Sequence, residues 1–244
     1  MKQQDENPKH LTVKVWRGTA QGEFQTYQVP RRDNQTVLDV VTHIQRHIDP
    51  GLSYRYACRV GMCGSCAMTV NGKPRWTCRT HVSKVTEGDT LEISPLRNHQ
   101  VIKDLSVDMT EFFDKWARAE GAFVATKTRN DDFEAILPTD KQRKIASAGI
   151  ECIGCGVCYS ACDVVDWKKE YLGPAALNRA WTLVNDVRDG GMTVRLQSIA
   201  GDAGCHACHS QQGCVEGCPK HLNPTAAIAG LKRRAAIAVL KGEL

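Results

Sequence analysis

Eleven of the twelve cysteines in this 244-residue chain fall into three groups whose spacing suits metal. The first group is Cys58, Cys63, Cys66 and Cys78, written "CRVGMCGSC" with the last cysteine returning twelve residues later. A C-x4-C-x2-C run with a distant fourth cysteine is the spacing that holds a [2Fe–2S] cluster. Gly61, Gly64 and Ser65 let such a loop wrap closely and aim backbone N–H groups at sulfur, which helps to set the reduction potential. A zinc site prefers C-x2-C pairs separated by a longer spacer, and the five-residue step from Cys58 to Cys63 fits that poorly.

The other two groups are read together. "CIGCGVCYSAC" places Cys152, Cys155, Cys158 and Cys162 in a C-x2-C-x2-C-x3-C run. "CHSQQGCVEGC" repeats it with Cys208, Cys214 and Cys218, but Gln211 stands where the second cysteine would be. In proteins with two clusters, the fourth cysteine of such a run ligates the cluster of the other run. Cys152, Cys155, Cys158 and Cys218 are therefore expected to hold a [4Fe–4S] cluster. Cys162, Cys208 and Cys214 offer three thiolates, which suits [3Fe–4S]. Cys205 lies three residues upstream; it either bends back as a fourth ligand or serves as a small buried hydrophobe. His206 and His209 are ligands or hydrogen-bond donors beside the thiolates. Pro219 follows Cys218 as the pattern has it, whereas Asp163 follows Cys162.

Elements must hold these sulfurs in place. "LTVKVW" and "FQTYQV" alternate like strands, and "TVLDVVTHIQRHI" carries apolar residues at helical spacing behind capping candidates Asn34, Gln35 and Thr36. "CAMTVNGKPRWTC" reads as a hairpin of two strands turned at Asn71-Gly72, and "TLEISPL" reads as a further strand. Past about Leu105 strand signals stop. "DMTEFFDKWARAEG" and "TDKQRKIASAG" read as helices, and so do the segments opened by Pro174 and Pro224.

The chain is ordinary in charged fraction (24%) and hydrophobic fraction (42%), with a net charge of +5. Neither an apolar leader nor a run of 18 apolar residues is present, so the cysteines are expected to stay reduced in the cytoplasm as metal ligands, not disulfides. The positive charge gathers at the C-terminus in Lys220, Lys232, Arg233, Arg234 and Lys241. Such an end meets an anionic lipid surface, nucleic acid or an acidic partner, or is a solvated helix face.

The chain resembles the iron–sulfur subunit of succinate dehydrogenases and fumarate reductases through "SYRYACRVGMCGSCAMTVNG", "VIKDLSVDM", "CIGCGVCYSAC", "YLGPAAL" and "CVEGCPKHLNP". The resemblance implies an α+β chain: a β-grasp, plant-type [2Fe–2S] ferredoxin domain over residues 1–106, then an all-helical two-cluster ferredoxin domain over 107–244. It implies an FAD-carrying catalytic subunit, a membrane anchor that can hold haem b, and a quinone. Electrons would pass from flavin through [2Fe–2S], [4Fe–4S] and [3Fe–4S] to the quinone, or back. The chain would lie peripherally on the cytoplasmic face of the inner membrane. Trp167, His209 and Lys232 match quinone-site positions, beside plainer roles as packing residue, cluster hydrogen-bond donor and lipid-facing charge. Ile228, Leu231, Ala235 and Ala238 recur on one helical face and read as a docking edge for the anchor.

Two rival readings follow from the same residues. One keeps the module but serves a different flavin oxidoreductase. The other is a zinc-stabilised nucleic-acid binder, which lacks the aromatic residues expected among its basic ones, so no nucleic-acid partner is expected.

Overall fold

The computed structural model describes residues 10–86 and 88–244. The N-terminal stretch in which no apolar leader was read lies largely outside them. Contacts between Cα atoms divide the chain into two compact units, Met1–Asp108 and Met109–Leu244.

In the first unit β1 (His10–Arg17) and β2 (Glu23–Pro30) pair antiparallel, with Leu11 opposite Val29 and Val13 opposite Tyr27. Alternation in β1 sends Leu11, Val13 and Val15 into the core, where each is fully buried. Helix α1 (Val37–His47) covers that core with Val37, Val40, Val41 and Ile44. Of the three capping candidates, Thr36 does the work. Its hydroxyl accepts from the Asp39 N–H, and the Asp39 carboxylate accepts from the Thr36 N–H, a closed capping box.

Strands β3 (Ala67–Val70) and β4 (Lys73–Trp76) form the hairpin expected around Asn71-Gly72. Both turn residues have positive φ, 47° and 74°, as a type I′ turn requires. β5 (Thr90–Ser94) runs parallel to β1 and antiparallel to β3, giving a five-stranded sheet in the order β2-β1-β5-β3-β4.

Strand structure does not stop at Leu105. β6 (Val101–Lys103) and β7 (Ser106–Val107) form a small antiparallel pair. Elements of two and three residues are too short to show a period. They are fixed instead by Asp104, 1% exposed at their turn, whose carboxylate accepts from the N–H of Gly18 and of Ser53 at 2.7 and 2.8 Å.

The described residues of the second unit are helical, with one isolated extended bridge between Ala125 and Asp189. In chain order the helices are α2 (Thr110–Arg118), α3 (Lys141–Ile150), α4 (Val157–Ser160), α5 (Asp163–Trp167), α6 (Pro174–Val184), α7 (Met192–Ile199), α8 (Gly213–Glu216) and α9 (Pro224–Leu240). α6 is the axis of this unit: nine of its eleven residues are buried, and α2, α3, α7 and α9 all pack on it. Its Ala-rich sequence lets neighbours approach. α2 is tied to α4 by Lys115, 2% exposed, whose ammonium donates to the Tyr159 hydroxyl at 2.7 Å and pairs with Glu111 at 2.7 Å. Arg195, also buried, spans from α7 to the carbonyls of Glu120 and Ala122 and to the carboxylate of Asp189.

The proposed docking edge of α9 is corrected by the packing. Ile228, Leu231, Ala235 and Ala238 are 0–3% exposed, and all but Ala235 belong to the unit's own apolar cluster. An apolar stripe on a terminal helix is needed first by the domain that carries it. Arg233 faces solvent, as do Ile237, Val239 and Leu240 in the last turns.

Candidate metal centres

The first cysteine group lies on the loop before β3 and just beyond β4. The hairpin register pairs Ala67 with Trp76, so Cys66 at one end and Cys78 at the other return to the same place. The Thr77 hydroxyl locks this return by donating to the Cys66 carbonyl at 2.7 Å. Both cysteines are buried beside Leu38, Tyr54 and Trp76. Cys58 and Cys63 are half-buried on the loop. Backbone N–H groups of Met62 and Cys63 point at the Cys58 sulfur at 3.2 and 3.3 Å, and that of Cys58 at the Cys63 sulfur at 3.5 Å. Gly61 makes the tight turn: its φ is +74°, and a Cβ there would sit 2.6 Å from the Trp76 ring.

The electrostatics of this group are uneven. Burial and then the neighbouring Cys66 push the Cys78 thiol up to about 12. Burial also works to raise Cys63, but N–H groups of Cys58 and Ser65 and the Ser65 hydroxyl outweigh it and bring the thiol down to about 6. Donors aimed at sulfur favour the thiolate, the form that binds iron.

In the second unit the two runs exchange their last cysteines. One pocket is lined by Cys152, Cys155, Cys158 and Cys218. Another is lined by Cys162, Cys208 and Cys214. Cys158 rides on α4 and Cys214 on α8, and each short helix follows a residue of positive φ, Gly156 at 77° and Gln212 at 65°. The runs meet at Gly213, where a Cβ would lie 2.7 Å from the Ala161 carbonyl oxygen. Gln211 lines the three-cysteine pocket from the position of the missing thiol. Cys205 lines neither pocket; it is fully buried in the apolar cluster, and burial pushes its thiol up.

Four thiols in one lining and three in the other are the donor sets that iron–sulfur clusters take. Among the described residues no three His, Cys, Asp or Glu side chains converge closely enough to share one metal. A zinc site would need its sulfurs about 2.3 Å from one centre. The four-cysteine pocket also holds a buried donor, Asn178 Nδ2, with no partner among the described residues. The Leu222 N–H points at the Cys218 sulfur at 3.4 Å. Burial, followed by Cys152, raises Cys155 to about 12, and Cys158 is driven well up by burial and Cys155. These thiols therefore stay neutral until metal displaces their protons.

The three quinone candidates are placed differently. His209 is exposed and lines the three-cysteine pocket. The Lys232 ammonium donates to the Cys208 carbonyl at 3.0 Å, which ties it to the backbone of a residue that lines that pocket. Trp167 is 67% exposed at the end of α5 and lines neither thiol pocket. Lys232's carbonyl contact could not be read from spacing; nor could Asn178, since an Asn in an Ala-rich helix carries no signal of its own.

Comparison with known proteins agrees with this geometry. Residues 12–114 match a 2Fe-2S iron-sulfur cluster binding domain, and residues 151–223 a 4Fe-4S dicluster domain. The chain is 35% identical to a fumarate reductase iron-sulfur subunit of Escherichia coli, over 83% of this chain and 82% of that protein. It is 38% identical to a mitochondrial succinate dehydrogenase [ubiquinone] iron-sulfur subunit of Oryza sativa, over 81% and 70%. Its fold superposes on a chain of the Mycobacterium smegmatis Sdh1 complex with a TM-score of 0.83 at 29% identity, covering 94% of this chain and 97% of that one.

Proposed function

Because the chain belongs to the iron–sulfur subunits of succinate dehydrogenases and fumarate reductases, we propose that it relays electrons between a flavin and a quinone through three clusters. Cys58, Cys63, Cys66 and Cys78 hold [2Fe–2S]; Cys152, Cys155, Cys158 and Cys218 hold [4Fe–4S]; Cys162, Cys208 and Cys214 hold [3Fe–4S]. The observation that carries this is the exchange of Cys162 and Cys218 between two separately lined pockets. The clusters supply one-electron steps.

The chain's own residues bury the sulfurs, exclude water and aim N–H donors at them. The first unit reads as a β-grasp ferredoxin domain, supported by α1 packed on a mixed five-stranded sheet. The second reads as a helical two-cluster domain. The partners are a flavoprotein carrying FAD and the dicarboxylate site, and a membrane anchor with or without haem b. The complex would sit at the cytoplasmic face of the inner membrane; among the described residues no helix of this chain is long and apolar enough to cross it. His209, in the lining of the three-cysteine pocket, and Lys232, bonded to the Cys208 carbonyl, are the quinone candidates this reading keeps. Trp167 offers an exposed indole for the anchor or quinone.

Succinate added to the anaerobic complex should reduce the clusters, and a quinone should reoxidise them, as followed by EPR. Clusters that respond to quinol but never to succinate or fumarate would assign the module to a different flavin partner.

A further inference from the structure

Asn178 is the residue the fold leaves unexplained. It sits in the middle of α6, 5% exposed, and its Nδ2 has no hydrogen-bond partner among the described residues. A buried amide donor without a partner costs about 1–3 kcal/mol. Asn is also a weaker helix former than the alanines around it. Neither cost serves packing, because an aliphatic side chain would fill the same space.

The position explains the choice. Asn178 lines the pocket of Cys152, Cys155, Cys158 and Cys218. The rest of that lining is apolar or backbone-rich, with Phe112, Ala175, Pro219 and Leu222 among it. Lys220 is the other polar side chain there besides the cysteines, and its ammonium is engaged by Glu151 at 3.1 Å. Asn178 is therefore the buried, unpaired side-chain donor of this apolar pocket.

We propose that the Asn178 carboxamide donates a hydrogen bond to a sulfur of the cluster held by Cys152, Cys155, Cys158 and Cys218, and so raises that cluster's reduction potential. The proposal rests on the four-thiolate reading of this pocket. Reduction adds an electron to the cluster core, so its sulfurs become better acceptors. A donor then stabilises the reduced state more than the oxidised one. In a dry pocket the effect is screened little. Asn178 thus acts as a positioning residue for the middle step of the relay: it sets how readily an electron rests there.

The test is a redox titration of the assembled complex with Asn178→Leu, which keeps the volume and removes the donor. The [4Fe–4S] reduction equilibrium should move toward the oxidised form by roughly tenfold, about 59 mV for one electron. The [2Fe–2S] and [3Fe–4S] potentials should stay in place. A [4Fe–4S] equilibrium within about twofold of wild type, or a shift shared equally by all three clusters, would overturn the proposal. Absence of any [4Fe–4S] signal from the wild-type complex would instead sink the four-thiolate reading. If the leucine variant does not assemble, wild type labelled at the asparagine side-chain nitrogen decides the matter. Pulsed EPR of the reduced cluster should show coupling to that nitrogen, and no coupling would overturn the proposal.

Discussion

Gln211 occupies the place of a thiol and lines the pocket of Cys162, Cys208 and Cys214. In the proposed assignment its carboxamide stands in place of a charged sulfur ligand, so the site would be left with three thiolates and would accommodate one iron fewer. Gln211→Cys restores the fourth. The oxidised-state EPR signal of [3Fe–4S] should then vanish and a second [4Fe–4S] signal appear on reduction. A [3Fe–4S] signal that persists unchanged would show that position 211 does not set the iron count, and a wild type that already lacks it would show that Cys205 or another group serves as the fourth ligand. The residues of this pocket were legible unevenly. Spacing alone identified the cysteines and the gap at Gln211, because cluster ligation imposes a fixed step along the chain. Cys205 stayed open in the sequence, since a thiol three residues upstream can turn either way; its burial beside Ile199 and Leu231 places it among apolar side chains. Lys232 was read as a quinone-site candidate or a lipid-facing charge, and its bond to the Cys208 carbonyl is a tertiary contact across 24 residues.

At the scale of elements, short segments around the sulfurs are held by long-range polar ties. Arg195 on α7 is 1% exposed at its side chain and Asp189 is 0%, and their ion pair at 2.7 Å is joined by bonds to the Glu120 and Ala122 carbonyls. This clamps the chain after α2 against the approach to α7. Removing one member of a buried pair leaves the other charged and unpaired, at a cost of about 3–5 kcal/mol. Arg195→Leu should lower the chemical-denaturation stability of the second unit by about that amount. The combined Arg195→Leu and Asp189→Asn variant should recover part of the loss; equal stability of both variants would mean the pair contributes nothing beyond packing. α7 itself escaped the sequence reading, because its eight residues lack a capping signal. β6 and β7 escaped for a similar reason, being fixed by a buried Asp104 and not by any alternation of their own. The longer elements β1, β2, α1 and α9 were legible because their apolar residues repeat at the period of the structure. For α9 that reading found the right stripe and assigned it the wrong neighbour.

Taken whole, the chain is two separately cored units that each present sulfur in an apolar setting. Division of the cysteines between two family types, 2Fe-2S over residues 12–114 and 4Fe-4S dicluster over 151–223, follows the same partition. No nucleophile or base with a substrate pocket is needed for this role. What the fold provides is thiols held around cavities, with backbone N–H donors pointed at several of the sulfurs and the unpaired Asn178 Nδ2 on a residue of the four-cysteine lining. The central claim is that eleven thiolates sort into sets of four, four and three. Iron and acid-labile sulfide analysis, paired with an EPR redox titration of the anaerobically isolated complex, tests it most directly. The account predicts one [2Fe–2S], one [4Fe–4S] and one [3Fe–4S] for each chain. Two complete cubanes, or zinc in the absence of sulfide, would contradict it.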